Sequence, residues 1–318
     1  MEEKEFELRQ ASNEVVGAGY LQEIDLAYST TENNVVIKGT VTMAVDEKRA
    51  FKLPIYARKK TKDGKDSKVF EYFTKLIEGK STINSIVNIV KETGKDKKSA
   101  LDSARKIFFR GSVDPYGFMD EEGNAVFLVN SKRGLGVTVR VMGDFEPSEE
   151  NPFEPGIKFS CELFINSIKN EKVDDKDTGR GIMTATLPLY KNNVATLNLI
   201  ILPQMRETAY GFYNPGDTAR LYGEYNLDIE IIEEESQEVG WGEAPEKKIT
   251  TKSKCEMVLK GGSSPYGAQN EKAYKKEDID AARAEKIEKL QKDAEDYRAS
   301  KENKTASAPT AKKGFKFE

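Results

Sequence analysis

Hydrophobic and polar residues alternate with a period of two along much of the chain, the mark of half-buried strands. The first runs are Gly19 to Ser29 and Val35 to Val45, with Val35, Ile37, Val41, Met43 and Val45 sharing one face. The third, Ala50 to Arg58, sets Phe51, Leu53, Ile55 and Ala57 against Lys52, Pro54, Tyr56 and Arg58. One face of this strand is core; the other is wet, cationic and aromatic. After a charged loop over 61–67 the period becomes helical, with apolar stripes at Val69, Phe70, Phe73, Leu76 and Ile77, at Ile83, Ile86, Val87 and Val90, and at Ala100, Leu101 and Ala104. Strand patterning resumes at Ile107 and recurs over Ala125 to Val129 and Gly136 to Val141.

The acidic, proline-containing stretch 144–155 is the natural boundary between two halves. Beyond it, strands are expected at Ile157 to Ile168, Ile182 to Tyr190, Val194 to Leu202, Thr218 to Ile232 and Cys255 to Lys260. Each half reads as three strands, an intervening segment and two more. The fold class is therefore mainly β: two five-stranded modules, the first over 1–145 with a helical insertion at about 60–105, the second over 146–265. A charged linker and helix follow over 266–298, the helix carrying a narrow stripe at Ile279, Ile287, Leu290, Ala294 and Tyr297, and then a disordered tail over 299–318 by composition.

Superposing Gly111 on Gly223 sets Ile107 to Val113 against Ala219 to Tyr225. Inward residues then match as Ile107, Phe109 and Val113 with Ala219, Leu221 and Tyr225, and outward ones as Phe108 and Arg110 with Arg220 and Tyr222. Each strand places one aromatic and one arginine on its wet face, which reads as an internal repeat, although seven residues can also align by chance.

Charge sharpens this picture. Residues 46–110 hold eighteen Lys and Arg against nine Asp and Glu, in a chain whose net charge is −4. The cations are interleaved with Phe51, Tyr56, Phe70, Tyr72, Phe73, Phe108 and Phe109, the residue chemistry that follows a phosphate backbone and stacks on unpaired bases. A solvated charged face over an aromatic core is the competing reading. The chain contains no histidine, which removes Ser-His-Asp and Cys-His catalysis and HExxH metal chemistry, leaving only carboxylate-bound magnesium or lysine chemistry to an enzyme. No apolar run approaches the roughly 20 residues of a membrane span, and the acidic start is wrong for a signal peptide, so the cytoplasm is the expected compartment. Two cysteines, Cys161 and Cys255, make neither a disulfide framework nor a cysteine zinc site.

Several motifs are better read as structure. Gly79-Lys80-Ser81-Thr82 resembles the end of a P-loop but has Thr74 where the first glycine belongs, and Ser81 is expected to cap the following helix. Asp174-Asp175-Lys176-Asp177-Thr178-Gly179 resembles half of a calcium loop without its later glutamate, and reads as a polar hairpin turn. Gly17-Ala-Gly19 and Gly134-Leu-Gly136 read as loop glycines, and Trp241, beside an acidic run, as a packing or protein-contact residue. Phe315 and Phe317, at the end of the tail, suit a partner's pocket, a packed end or a frayed one.

Five-stranded modules with an element between the third and fourth strands describe the OB-fold, whose exposed strand face binds oligonucleotides. Through Pro215-Gly-Asp-Thr-Ala-Arg-Leu-Tyr-Gly223 and its tethered C-terminus, the chain resembles the tandem OB-fold single-stranded DNA-binding proteins of bacteriophage replication modules. The resemblance covers both halves and implies a non-catalytic protein of replication or recombination, in the host cytoplasm if phage-encoded. Phosphates are then expected on Lys52, Arg58, Lys59, Lys60, Arg110, Arg140 and Arg220, with Lys132 and Arg133 at a loop edge. Bases are expected on Tyr56, Phe108, Tyr190 and Tyr222, and replication or recombination proteins on Phe315 and Phe317. No cofactor, metal or catalytic residue is needed. The alternative is a β-rich virion or replisome adaptor whose basic region binds an acidic protein; a magnesium nuclease lacks the paired carboxylates it requires.

Overall fold

The computed structural model describes residues 8–31, 34–61, 63–235, 247–267 and 269–306. Its first half runs β1 (Asn13–Thr31), β2 (Asn34–Ala44), β3 (Ala50–Arg58), three helices α1 (Lys68–Glu78), α2 (Ile86–Thr93) and α3 (Lys97–Leu101), then β4 (Lys106–Val113). Two small hairpins follow, β5 (Tyr116–Met119) with β6 (Ala125–Leu128) and β7 (Asn130–Ser131) with β8 (Gly134–Leu135), before β9 (Val137–Asp144). The second half runs β10 (Gly156–Val173), β11 (Lys176–Pro188), β12 (Val194–Ile201), α4 (Arg206–Phe212), β13 (Thr218–Glu235) and β14 (Lys247–Gly262), and α5 (Lys276–Ala306) closes the described chain.

The second set of strands forms a closed ring, β10–β11–β12–β14–β13 and back to β10, antiparallel except for the parallel pairing of β12 with β14. The first set repeats this order as β3–β2–β1–β4–β9, and among the described residues no ladder joins β3 to β9, so this barrel is partly open. A first strand pairing with the second and the fourth, and a helix between the third and fourth, is the plan of the OB-fold. The class expected from periodicity is thus the one observed: mainly β, two OB-like barrels and a C-terminal helix.

The two barrels share one sheet. The amino-terminal part of β1 pairs antiparallel with β10 from Asn13↔Cys161 to Ala18↔Gly156. Val15 pairs with Phe159 across this seam; Val15 also pairs with Gly111 on β4, and Phe159 with Gly223 on β13. The row Gly111, Val15, Phe159, Gly223 is therefore symmetric about a local two-fold between β1 and β10. The superposition of Gly111 on Gly223 is the spatial one.

A bulge falls at the same place in both barrels. The β4–β9 register shifts between Arg110 and Gly111, and the β13–β14 register between Tyr222 and Gly223. A Cβ at Gly111 would collide with the Thr138 carbonyl oxygen, and one at Gly223 with that of Val258, so each bulge requires a glycine opposite it. Ile107, Phe109, Val113, Ala219, Leu221 and Tyr225, the inward residues of these strands, are all buried.

Several expectations are corrected. β1 begins at Asn13, so Gly17 and Gly19 are strand residues rather than loop glycines; Gly17 leaves room for the Phe109 ring, and Gly19 for Met43 and the Ala44 backbone. Val35, at the edge of β2, is exposed. Ser85, not Ser81, caps α2 by accepting from the Asn88 amide, and Gly79 closes α1, the opposite helix end from the one a P-loop uses. The hairpin at Asp174 and Asp175 has both residues in the left-handed region, as a type I′ turn requires. A second insertion, β5 to β8, stands between the fourth and fifth strands of the first barrel.

The C-terminal helix is neither short nor separate. It runs on to Ala306, through Lys301-Glu-Asn-Lys304, because nothing before Pro309 breaks a helix. Ile279, Ala282 and Leu290 are buried, and the helix packs on β5 of the first barrel and β12 of the second. Ile287 and Tyr297, also on the expected stripe, are exposed. Trp241, Phe315 and Phe317 lie outside the described residues.

If the paired bulges set the barrel geometry, Gly111→Ala and Gly223→Ala should each cost at least about 2 kcal/mol in urea unfolding, because a backbone carbonyl must move. Gly211→Ala, in α4 with open space around it, should be neutral or stabilising by about 0.5–1 kcal/mol.

Candidate nucleic-acid interface

Tight alternation in β3 gives the first barrel its outer face. Phe51, Leu53, Ile55 and Ala57 are buried, while Lys52, Tyr56 and Arg58 are exposed and Pro54 is half-buried. Tyr56 is 52% exposed, which leaves its ring accessible to a planar ligand. Arg58 lies 5.7 Å from the centroid of that ring, and Lys38, its partner across the β2–β3 ladder, lies 6.0 Å away. Lys38 was not expected at the site: its outward direction follows from Ile37 and Val41, but only the register puts it opposite Tyr56.

Lys132 and Arg133 form the exposed turn of the β7–β8 hairpin. This hairpin is pinned against β3, where a Cβ at Gly134 would stand 2.6 Å from the Lys52 carbonyl oxygen. Lys52, Lys132 and Arg133, about eighty residues apart in sequence, are thereby brought to one edge. Lys59 and Lys60 depart from the strand face: Lys59 lines a groove with Tyr28, Val35 and Phe70, and Lys60 forms a 2.8 Å ion pair with Asp66.

Phe108, Arg110, Arg140, Arg220 and Tyr222 make a second group on the shared sheet. Phe108 is half-buried, its ring laid across β9 over Gly143, where a Cβ would approach it to 2.9 Å. Tyr222, 49% exposed, lies in the same way across β14 over Gly261, where a Cβ would stand 2.6 Å from its Cζ. Arg110 is exposed, and Arg220 is exposed with Nε donating to Ser160 Oγ at 2.9 Å. Arg140 is the unpaired residue of the β9 bulge and donates to Ser112 Oγ at 3.3 Å. Its counterpart in the second bulge is Lys260, which bonds Glu224 at 2.7 Å. The equivalence of Arg140 and Lys260 was not legible without the register.

Tyr190 is separated from both groups. β11 ends at Pro188, and Tyr190 stands 66% exposed in the β11–β12 turn, with Lys191 5.7 Å from its ring. The helical insertion is anchored beside the site: Arg105 and the Tyr72 hydroxyl both donate to Asp144 at the end of β9. Burial pushes the Asp144 carboxyl up, but these donations outweigh it and hold the group below the usual carboxylate range.

The fold and this surface define an OB-fold protein with a cationic, aromatic outer sheet face. The family model described as YorF matches residues 11–296, and the chain belongs to the YorF family. No curated protein matches it by sequence. Among solved structures it is similar to the wild-type single-stranded DNA binding protein from Thermus aquaticus, at 10% identity and a TM-score of 0.38, covering 83% of this chain and 97% of that one. A deletion mutant of that Thermus aquaticus protein matches at the same identity and TM-score over 82% of this chain and 98% of the other.

The two faces of β3 should separate on substitution. Leu53→Ala is expected to cost about 2–5 kcal/mol in urea unfolding. Tyr56→Ala should leave the unfolding midpoint nearly unchanged, since its ring packs against cations and solvent.

Proposed function

We propose that this protein is a non-catalytic single-stranded DNA-binding protein that covers strands exposed in the cytoplasm during replication or recombination. The observation that carries the reading is Tyr56: an exposed ring on a strand face, flanked by Lys38 and Arg58, with Lys52, Lys132 and Arg133 along the same edge. A base stacked on Tyr56 leaves its phosphates within reach of those cations, and every base has a face to stack, so sequence preference is slight. Phe108, Arg110, Arg140, Arg220 and Tyr222 extend the surface, and Lys59, Lys60 and Tyr190 stand at its margins. No cofactor takes part in such binding.

Tyr56→Ala should weaken oligo-dT binding by about 1–3 kcal/mol. For the intact protein, log K should fall with log salt at about −0.7 per phosphate neutralised, and Lys52→Ala with Arg58→Ala should shallow that slope. Competition by poly-dT distinguishes this reading from a basic adaptor that binds an acidic protein: a bound acidic polypeptide that poly-dT fails to displace would favour the adaptor.

The C-terminal residues Phe315 and Phe317 serve, in the same reading, as a contact for a replication or recombination protein. Deleting residues 307–318 should leave oligo-dT affinity within about threefold, less than the 1.4 kcal/mol of a tenfold loss. Pull-down of that partner should be lost, and Phe315→Ala with Phe317→Ala should reproduce the loss. Unchanged partner capture by the truncated chain would remove the tail from the account.

A further inference from the structure

The shared sheet carries two clefts related by its local two-fold. The first, about 460 Å³, lies over β1 and β4 where Phe108 and Arg110 face Lys158 and Asn151. The second, about 450 Å³, lies over the segment leading into β1 and over β13, where Arg220 faces Tyr266, Lys272 and Arg9. The superposition that matches Gly111 with Gly223 matches Phe108 with Arg220, so the clefts occupy equivalent places. Each is walled by the segment that follows the fifth strand of its barrel: Phe145 to Glu154 in one, Tyr266 and Lys272 in the other.

Both clefts combine an aromatic ring with guanidinium or ammonium groups, and what lies between them is continuous sheet. Arg110, Val16, Lys158 and Glu224 form one cross-strand row, and Ser160 and Tyr222 lie on the next. From β4 to β13 is three strand spacings, about 14 Å. Three carboxylates on this surface are engaged: Glu162 accepts from Arg9 at 2.7 Å, Glu224 from Lys260 at 2.7 Å and Glu154 from Lys158 at 3.1 Å, whereas Glu14, on the row of Ser160 and Tyr222, and Glu146, in the first cleft, make no ion pair among the described residues. The Lys272 ammonium has no ion pair among the described contacts, and its backbone is fixed by the Asn270 side chain and Arg9.

We infer that a single strand of nucleic acid crosses the β1–β10 seam, seating a nucleotide in the Arg220–Tyr266–Lys272 cleft of the second barrel as well as beside Phe108 and Arg110 in the first. This rests on the single-strand reading above and adds to it the Tyr266–Lys272 cleft beside Arg220 and a path between barrels. Stacking on Tyr266 and phosphate contacts to Arg220 and Lys272 supply the binding there. Sequence separation hides the site, since Arg9, Arg220 and Lys272 meet only because the seam brings the chain start onto the second barrel.

The test uses the full chain with fluorescent oligo-dT of about 6 and about 30 nucleotides, one short enough for a single OB-fold and the other long enough for both. Tyr266→Ala with Lys272→Ala should leave the short oligonucleotide within about twofold of the parent and weaken the long one at least tenfold. The salt slope for the long one should become shallower by about 0.7, the share of one phosphate. Lys272→Glu alone, at an exposed position, should weaken the long oligonucleotide in the same sense if the double variant fails to fold. Parent-like affinity and slope for the long oligonucleotide would overturn the seam path. If Tyr56→Ala then still weakens both lengths, the first-barrel reading stands without it; if the parent binds neither length, both readings fall.

Discussion

The antiparallel ladder between the first strands of the two barrels is the constraint on which the rest of the molecule depends. Without it, each barrel would have an edge at its first strand and a face of its own. With it, β9, β4, β1, β10, β13 and β14 form one continuous surface. The ladder also fixes the two-fold relation that brings the bulges and their opposed glycines into equivalent positions, and with them Phe108 opposite Arg220 and Arg110 opposite Tyr222. Where the seam ends, Asn13 turns its side chain to β4: it exchanges two 2.8 Å hydrogen bonds with the Val113 backbone, extending the β1–β4 ladder by one rung in place of a main chain.

The two barrels are unlike in chemistry despite the common plan. On the first, the third strand exposes Lys52, Tyr56 and Arg58, and the insertion between the fourth and fifth strands carries Lys132 and Arg133 to it. On the second, the third strand exposes Asn198 and half-exposes Thr196, and its edge is covered by α5. Cationic chemistry in the second barrel has moved to β13 and the segments beside it. That shift explains why the charge excess of residues 46–110 and the aromatic-arginine pairs of β4 and β13 signal different parts of one surface. The C-terminal helix touches both halves, through β5 and β12, and so links them at a place other than the seam.

Local patterning made the strands legible and left their partners hidden. The alternation in Ala50 to Arg58 identified core and wet faces because each side chain there obeys the period of two without a bulge. The Gly111–Gly223 match held because both glycines answer the same steric demand. By contrast, Gly17 and Gly19 read as loop because nothing local says that Phe109 and Met43 will lie over them. Lys38, Lys260 and Lys272 were missed since a residue's place at an interface is set by register and by the seam, which no short stretch encodes. Tyr190 was misplaced by two residues of strand length, enough to move it from a sheet to a turn. The C-terminal helix was cut short because Lys, Glu and Asn suit both a helix end and a flexible linker.

Photo-cross-linking of oligo-dT to the full chain, with adducts located by mass spectrometry, tests the central claim most directly, because it reports which rings lie against bases. Adducts at Tyr56 in the first barrel and at Tyr222 or Tyr266 in the second, carried by the same long oligonucleotide, are the predicted result. Adducts confined to α5 or to the Tyr190 turn, with the shared sheet and β3 unmarked, would contradict it.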